Sequence, residues 1–184
     1  METNHLLYDI SESRWIRRVV YGCYDIHIKQ ERKQITYVSR CCNTRRHNTN
    51  EDEVMKCLNL FNMTAVMVKF DNATFEEQVR IMADTLLLVS IHGSQLTNMV
   101  FMVPRSAVIE IVNPLFNYWF FKELSERSEL FYSLFQGTTI AEDVPYEVRR
   151  TWWCLTVDYN TIVNTTLLYP VVRNMLDTTQ MNTP

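Results

Sequence analysis

The segment Thr85–Ile91 constrains the fold more than any other part of the chain, because nearly all of its seven residues are apolar. A strand with one face in solvent alternates apolar and polar side chains, whereas a strand covered on both faces is apolar almost throughout. Seven residues suit a strand and are short for a helix. The segment therefore predicts the central strand of a sheet that carries helices on both faces.

Short apolar runs alternate with amphipathic stretches along the rest of the chain. Further strands are predicted at Gln34–Ser39, Ala65–Phe70, Ala107–Val112, Leu130–Phe135 and Trp152–Val157. Helices are predicted at Glu51–Asn62, from Thr74 to about Ala83, and at Leu96–Met102, Tyr118–Ser128 and Tyr159–Leu176. This alternation is typical of βαβ units. It predicts an α/β fold, namely a Rossmann-like parallel sheet with helices on both faces.

Capping patterns and one proline set expectations for the helix ends. Asn50 and Thr74 are each followed three residues later by a glutamate, Glu53 and Glu77, which is the pattern of a capping box. Pro170 lies inside the last predicted helix. It should kink or interrupt that helix, because proline lacks the N–H that a helix interior needs.

Composition and charge limit the function classes. The chain has 184 residues, 47% hydrophobic and 21% charged, so it can bury one sizeable core. Residues 1–50 carry nine Lys and Arg against five Asp and Glu (+4), and residues 51–184 carry nine against sixteen (−7), which gives no broad basic surface for nucleic acid. The five cysteines lack Cys-x-x-Cys spacing, which disfavours structural zinc. No segment has the pattern of a transmembrane helix or a targeting signal.

Polar residues follow the predicted central strand directly. They are His92, Ser94 and Gln95, with Gly93 between the first two. Gly93 permits a tight turn in which backbone amides approach an anion closely, and the helix that follows adds the positive end of its dipole. From the residues alone, an ordinary strand-to-helix turn remains the alternative.

Three arginines, Arg40, Arg45 and Arg46, follow the first predicted strand. They form either a local anion site or a solvated loop. The carboxyl ends of parallel strands meet at one edge of a sheet, where α/β proteins bind ligands. We therefore expect the loop that carries these arginines, the loop 92–95 and the turn 110–114 to share one rim.

Several well-known motifs are absent. The chain has three glycines, Gly22, Gly93 and Gly137, which lie too far apart to form G-x-G-x-x-G or a P-loop. There is no G-x-S-x-G elbow, which disfavours an α/β-hydrolase. There is also no D-x-D pair of the kind that holds Mg²⁺ or Mn²⁺ against a diphosphate.

The run Ile91–Pro104, followed by Ala107–Ile111, resembles the signature of the family 61 glycosyltransferases, which contains His-Gly, Leu-Thr-Asn, a proline and a strand with Glu or Gln. Further segments resemble the family at Tyr37–Arg40, Arg45–Arg46, Asn50–Glu53, Trp119–Lys122 with Ser125, Leu130–Tyr132 and Thr156–Asp158. The resemblance covers roughly residues 30–176. Ser94 stands where the family usually has alanine, and Gln95 stands where glycine is frequent.

The resemblance implies the C-terminal, donor-binding lobe of a glycosyltransferase of the B fold. It places this lobe at residues 33–178, after an N-terminal helical remnant or linker at 1–32 and before a tail at 179–184. It implies inverting, metal-independent transfer of N-acetylglucosamine or a pentose from a UDP-sugar to a protein- or polysaccharide-linked acceptor. A catalytically inactive nucleotide-sugar-binding or interaction module is the alternative.

The resemblance also implies a cellular setting and partners. The full-length enzyme would work in the lumen of the endoplasmic reticulum or Golgi, attached to the membrane only through an N-terminal anchor that this chain lacks. Its partners would be the UDP-sugar donor and a glycan or glycoprotein acceptor, without cofactor, metal or nucleic acid.

Site roles follow from the same resemblance. Arg40, with Arg45 and Arg46, would face the diphosphate or the uridine. The loop from His92 through Gly93 and Ser94 to Gln95 would cradle the phosphates. Asn98 would fix the short helix or a donor hydroxyl, and Glu110 would either accept a ribose hydroxyl or pair with an arginine. The resemblance identifies no general base in this chain.

Overall fold

The computed structural model describes residue 7 and residues 9–40, 47–113, 119–139 and 160–181. The helices are α1 (Ile10–Cys23), α2 (Glu51–Leu58), α3 (Phe75–Asp84), α4 (Phe120–Arg127) and α5 (Thr165–Met181), with a 3₁₀ helix at Ser94–Phe101. The strands are β1 (Gln34–Val38), β2 (Thr64–Val68), β3 (Thr85–Ile91), β4 (Ala107–Val112), β5 (Phe131–Gln136), β6 (Thr138–Thr139) and β7 (Thr161–Ile162).

The main sheet has five strands in the order β2-β1-β3-β4-β5, and all neighbouring strands are parallel. β3 lies at its centre, between β1 and β4. β6 and β7 form a separate antiparallel pair. The prediction of a Rossmann-like parallel sheet with a buried central strand at Thr85–Ile91 is thus confirmed.

Each face of the sheet is covered by its own hydrophobic core. On one face, Ile35, Leu87 and Ile109 pack with α2 and α5. On the other, Leu88 and Val108 pack with α3, α4, the 3₁₀ helix and part of α1. Successive strand residues point to opposite faces, so β3 feeds both cores. Burial of each such side chain stabilises the fold by roughly 1.5–3 kcal/mol.

A buried arginine holds α1 against the second face. Arg17 is 5% exposed. Its guanidinium donates to the backbone oxygens of Val100 and Ser128, each at 3.2 Å, and pairs with Glu129 at 3.3 Å. A buried cation is costly unless its N–H groups are bonded, so these contacts fix where α1 lies.

The two predicted capping boxes have different outcomes. At α3 the box forms: Thr74 Oγ1 accepts from the amide of Glu77 at 3.3 Å, and the Glu77 carboxylate accepts from the amide of Thr74 at 2.7 Å. At α2 the N-cap residue is Asn50, as predicted, but the box does not form. The Asn50 side chain makes no bond to the amides of the first turn, although its nitrogen donates to the Glu53 carboxylate at 2.7 Å. Its oxygen instead accepts from the amide of Val163, and its nitrogen donates to the Val163 carbonyl, both at 2.9 Å.

The last predicted helix begins later than expected. Thr161 and Ile162 form β7, and Asn164 then caps α5 by accepting from the amides of Thr166 and Leu167 at 3.1 and 3.3 Å. The helix continues past Pro170 to its end, so the proline does not interrupt it.

Other boundaries shift slightly or fall outside the described residues. α2 ends at Leu58 rather than Asn62, and the short helix after β3 is of the 3₁₀ type and begins at Ser94. The strand predicted at Trp152–Val157 lies outside the described residues. None of the described helices has both the length and the apolar character that crossing a membrane requires.

The tether between Asn50 and Val163 should be measurable in stability. Asn50→Ala removes both bonds and leaves the backbone groups of Val163 without this partner. It also removes an exposed bond to the Glu53 carboxylate, which contributes little. We therefore expect the free energy of unfolding to fall by about 2 kcal/mol in urea denaturation.

Asn59→Ala is the matched control. Asn59 is exposed, and within the described part of the chain its side chain bonds to the Met55 carbonyl alone, so its loss should change the free energy of unfolding by less than about 0.5 kcal/mol. Equal effects of the two substitutions would show that the tether to Val163 contributes nothing.

Candidate functional site

The strand order creates a crevice at the carboxyl edge of the sheet. After β1 the chain crosses to α2 on one face, whereas after β3 it enters the 3₁₀ helix on the other face. A sheet with the order 2-1-3-4-5 binds its ligand where such neighbouring connections diverge, at the switch point between β1 and β3. Arg40 follows β1 and His92 follows β3, so both lie at this point.

Arg40 contacts the segment after β3 directly. Its Nη1 donates to the backbone oxygen of His92 at 3.2 Å. A Cβ placed on Gly93 would lie 2.6 Å from that same Nη1. Gly93 has φ 166° and ψ 168°, which is extended backbone that any residue adopts. The expectation that Gly93 supplies a tight turn is therefore wrong: the missing side chain leaves room for the Arg40 guanidinium.

Glu110 is fully buried beneath this rim, with 0% of the residue exposed. One carboxylate oxygen contacts His92 Nδ1, and the other accepts a hydrogen bond from the Tyr132 hydroxyl. Among the described residues Glu110 is paired with His92 and Tyr132 and with no arginine, which was one of the two alternatives for it. Its predicted contact with a ribose stays a prediction, and such a contact would have to share a carboxylate that already has two partners.

His92 is fixed on several sides. Its backbone amide donates to the Ile111 carbonyl at 2.8 Å. Its ring packs edge-on against Phe121 of α4, with 5.1 Å between ring centroids. Only 15% of the side chain is exposed. The imidazole thus reaches the crevice while one ring nitrogen stays on the buried carboxylate.

Tyr132 completes the buried cluster. Burial, together with the neighbouring Glu110 carboxylate, raises the pKa of this phenol well above its ordinary value of 10. The hydroxyl therefore stays protonated at physiological pH and donates a hydrogen bond to the Glu110 carboxylate. Tyr132 and Phe121 lie in segments that resemble the family, but neither was predicted as a site residue. Tyr132 reaches Glu110 because the parallel register brings β4 beside β5.

The start of the 3₁₀ helix faces the same crevice. Among the described residues no side chain caps it, so its first amides have no capping partner. Ser94 is exposed, while the side-chain oxygen of Gln95 is buried and accepts no hydrogen bond from any described residue. Asn98 turns away and donates to Gln78 of α3 at 2.8 Å, which fixes the short helix.

The structure thus brings Arg40 into contact with His92 and Gly93, and His92 into contact with Glu110. Ser94 and Gln95 follow directly in the chain. Arg45 and Arg46 lie outside the described residues. Within the described part of the chain, no group of three or more His, Cys, Asp or Glu residues is placed to hold a metal ion.

A cavity of about 490 Å³ opens at the opposite edge of the sheet. Lys33, Met63 and Leu86 line it near the amino ends of β1, β2 and β3. Ligands of open α/β sheets bind at the carboxyl ends of the strands, so this cavity is not the expected donor site.

Two comparisons with known proteins indicate the same class of protein. Residues 3–109, more than half of the chain, match the family model described as Glycosyltransferase 61. The chain is also 27% identical over 152 residues to Protein O-linked-mannose beta-1,4-N-acetylglucosaminyltransferase 2 of Xenopus laevis. The matched region is 79% of this chain and 26% of that relative, so the chain spans about a quarter of the relative's length. The predicted domain boundaries at residues 32 and 178 stay predictions.

The buried cluster can be tested through its phenol. Tyr132→Phe removes the donor to a buried carboxylate, and a hydrogen bond to a charged group contributes roughly 1.5–3 kcal/mol. We expect the free energy of unfolding to fall by about that amount in urea denaturation at pH 7.

Tyr169→Phe serves as the control, because the Tyr169 hydroxyl contacts Arg173 on the exposed surface of α5. Its effect should be clearly smaller. If Tyr132→Phe left the stability unchanged, the bond between Tyr132 and Glu110 would not hold the site together.

Proposed function

The chain belongs to the glycosyltransferase 61 family, and from that premise we propose that it binds the diphosphate of a UDP-sugar between Arg40 and His92. The reaction is inverting, metal-independent transfer of N-acetylglucosamine or a pentose to a protein- or polysaccharide-linked acceptor. The observation that carries the proposal is the contact of the Arg40 guanidinium with the His92–Gly93 backbone at the switch point. There a strong cation lies beside an uncapped helix start.

The chemistry of these groups suits a diphosphate. Arginine presents planar N–H groups that match phosphate oxygens, and the start of a helix offers amides and a positive dipole end. The buried oxygen of Gln95 is an acceptor that a hydroxyl or N–H of the donor could satisfy. All these groups lie at the edge where an α/β sheet binds its ligand.

The roles of the residues follow from the charge that develops in the transfer. The acceptor hydroxyl attacks the anomeric carbon on the face opposite UDP, the bond from that carbon to the β-phosphate oxygen breaks, and UDP leaves with the electron pair. The hydroxyl proton goes to a base that is not assigned to any residue here. Arg40, His92 and the helix start would stabilise the charge on the leaving diphosphate.

The sequence supports metal independence, because it has no D-x-D pair. The proposal therefore assigns the neutralisation of the diphosphate to side chains and backbone amides. Residues 33–178 would form the donor-binding lobe of a B-fold enzyme, and the acceptor would be recognised by the whole protein. This division accords with a chain that spans about a quarter of its relative.

We also propose that the enzyme works in the secretory pathway, in the lumen of the endoplasmic reticulum or Golgi. Three Asn-x-Thr triplets begin at Asn62, Asn72 and Asn164, and all three asparagines are exposed. Such triplets accept glycans in that compartment. Their exposure means that a glycan at any of them could be accommodated without displacing the core.

UDP binding tests the proposed site. We expect the 184-residue chain to bind UDP in calorimetry with EDTA present, and Arg40→Ala and His92→Ala each to weaken binding roughly ten- to a hundredfold, the effect of losing a charge-assisted hydrogen bond.

Arg80→Ala and His27→Ala are matched controls that should leave the affinity unchanged. Arg80 pairs with Glu76 on α3, and His27 lies near Asp25 in an exposed position. Binding that requires Mn²⁺, or that is insensitive to both site substitutions, would contradict the proposal.

Gly93→Ala tests the packing of Arg40 over the glycine. The added methyl group must push the guanidinium away, because the two would otherwise be only 2.6 Å apart. The backbone conformation itself suits alanine. We expect at least a several-fold loss of UDP affinity in calorimetry, with little change in the midpoint of thermal unfolding.

Gly22→Ala is the control, because a Cβ there meets nothing within 4 Å. It should leave UDP affinity unaltered. An unchanged affinity in Gly93→Ala would mean that the position of Arg40 over Gly93 does not matter for the ligand.

A further inference from the structure

The cavity at the amino edge of the sheet is lined in part by a residue that can be covalently modified. Asn62 is exposed and is among the residues that line this cavity of about 490 Å³. It begins the triplet Asn62-Met63-Thr64, the pattern that accepts an N-linked glycan in the secretory lumen. A modification signal and a cavity thus coincide at one residue.

The local structure leaves both functional groups of the triplet accessible. Asn62 lies in the bend between α2 and β2, where the amide of Met63 donates to the Phe61 carbonyl at 2.7 Å. Within the described part of the chain, the Asn62 side chain makes no hydrogen bond. Thr64 is exposed at the first position of β2. The amide that would carry the glycan and the hydroxyl that the triplet requires therefore both reach solvent.

The lining of the cavity suits a sugar. A pyranose has apolar C–H faces and a rim of hydroxyls, so it needs apolar and polar partners together. Phe61 and Leu86 supply apolar surface, and Asp177 and Gln180 supply polar groups. The Phe61 ring is held by stacking on Tyr169, with 4.8 Å between ring centroids. The volume falls within the roughly 300–1,000 Å³ of small-molecule sites, which is enough for the first sugar residues of a glycan.

The other two Asn-x-Thr triplets lie at the opposite edge of the sheet. Asn72 follows the carboxyl end of β2. Asn164 caps α5 close to Thr161, whose hydroxyl donates to Asn113 just after β4. Neither Asn72 nor Asn164 lines the cavity. A glycan on either would extend from the edge proposed for the UDP-sugar, whereas a glycan on Asn62 would extend from the edge away from it.

We propose that Asn62 carries an N-linked glycan whose first sugar residues cover the cavity at the amino edge of the sheet. This inference rests on the part of the proposed function that places the enzyme in the secretory lumen. There a lumenal transferase supplies a lipid-diphosphate-linked oligosaccharide. Nδ2 of Asn62 attacks the anomeric carbon of its first sugar, and the bond from that carbon to the diphosphate oxygen breaks. The lipid diphosphate leaves with the electron pair, and the amide nitrogen gives up one proton to a base of the transferase.

Such a cover would act on the core that lies behind the cavity. Phe61, Met63, Leu86 and Leu176 line the cavity and also belong to the core on the α2 and α5 face of the sheet. A sugar that lies against them removes apolar surface from water. It also opposes local opening of the segments around the cavity. The glycosylated chain should therefore be more stable, and backbone amides near the cavity should exchange more slowly.

The first measurement establishes the modification. The 184-residue chain is expressed behind a cleavable secretory leader in animal cells that make high-mannose glycans, and glycosylated asparagines are identified by mass spectrometry of its peptides. We expect Asn62 to be occupied in the unsubstituted chain and in Thr64→Ser, and unoccupied in Thr64→Ala. The last two are a matched pair, because both shorten an exposed side chain and only serine keeps the hydroxyl.

The second measurement tests the cover with chains in which Asn62 is the single acceptor, through Asn72→Gln and Thr166→Ala. Endoglycosidase H trims the glycan to one sugar residue. The reference is the same chain made in a bacterium without N-glycosylation, so the compared samples have one amino-acid sequence. The matched control carries its sugar on Asn164 alone, through Thr64→Ala and Asn72→Gln.

We expect hydrogen exchange to be several-fold slower at residues 30–33 and 173–180, which contribute to the cavity lining, when the sugar is on Asn62. Exchange in α1, which does not line the cavity, should be unchanged. The midpoint of thermal unfolding should rise by about 2–4 °C. A sugar on Asn164 alone should leave exchange at residues 30–33 and 173–180 as it is in its own bacterial reference.

Failure of this inference is distinguishable from failure of the donor site. If Asn62 is unoccupied in the lumen, or if its sugar leaves exchange around the cavity unchanged, the inference is overturned and the donor site still stands on UDP binding. Equal slowing by a sugar on Asn164 would also overturn it. If Asn62 is modified and covers the cavity but the chain does not bind UDP, the donor site fails and the inference stands. Location of the full-length protein outside the secretory pathway would overturn the inference together with the proposed compartment.

Discussion

The pairing of β3 with β1 on one side and β4 on the other is the constraint on which the rest of this structure depends. β3 contributes side chains to both cores, and its ladder sets where the neighbouring strands end. Because the connections after β1 and β3 leave toward opposite faces, a crevice is unavoidable at their carboxyl ends. Arg40 and His92 are the residues that the chain places there. The position of the site is thus a consequence of strand order rather than of a dedicated loop.

The polar side chains at this edge of the sheet lie at different depths. The Arg40 guanidinium and the His92 ring lie at the rim, while the carboxylate of Glu110 is buried and bonded on both oxygens. In a low-dielectric interior such a carboxylate is tolerated only because its partners are fixed by adjoining strands. The arrangement resembles the way in which other proteins orient a histidine through a carboxylate on its second ring nitrogen.

The comparisons give the family of the chain, and the geometry gives a physical reason for part of its sequence pattern. The family model matches more than half of the chain, and the Xenopus laevis relative carries a glycosyltransferase name. Neither comparison identifies donor or acceptor for this chain. The structure adds a chemical reason for one feature of the resemblance: the His-Gly pair places an imidazole over Glu110 and leaves space for Arg40 beside the glycine.

The sequence by itself determined the alternation of elements, the buried central strand and the capping box at Thr74, because these depend on local pattern. It also placed Arg40 and His92 on one rim, since the ends of parallel strands meet there. The local pattern at Asn50 predicted a capping box with Glu53 that does not form, because the Asn50 side chain bonds to Val163, more than a hundred residues away. The tertiary structure alone decided that Glu110 contacts His92 and Tyr132. A shift of register by one residue would turn Glu110 to the other face, and no local pattern fixes that register across three strands.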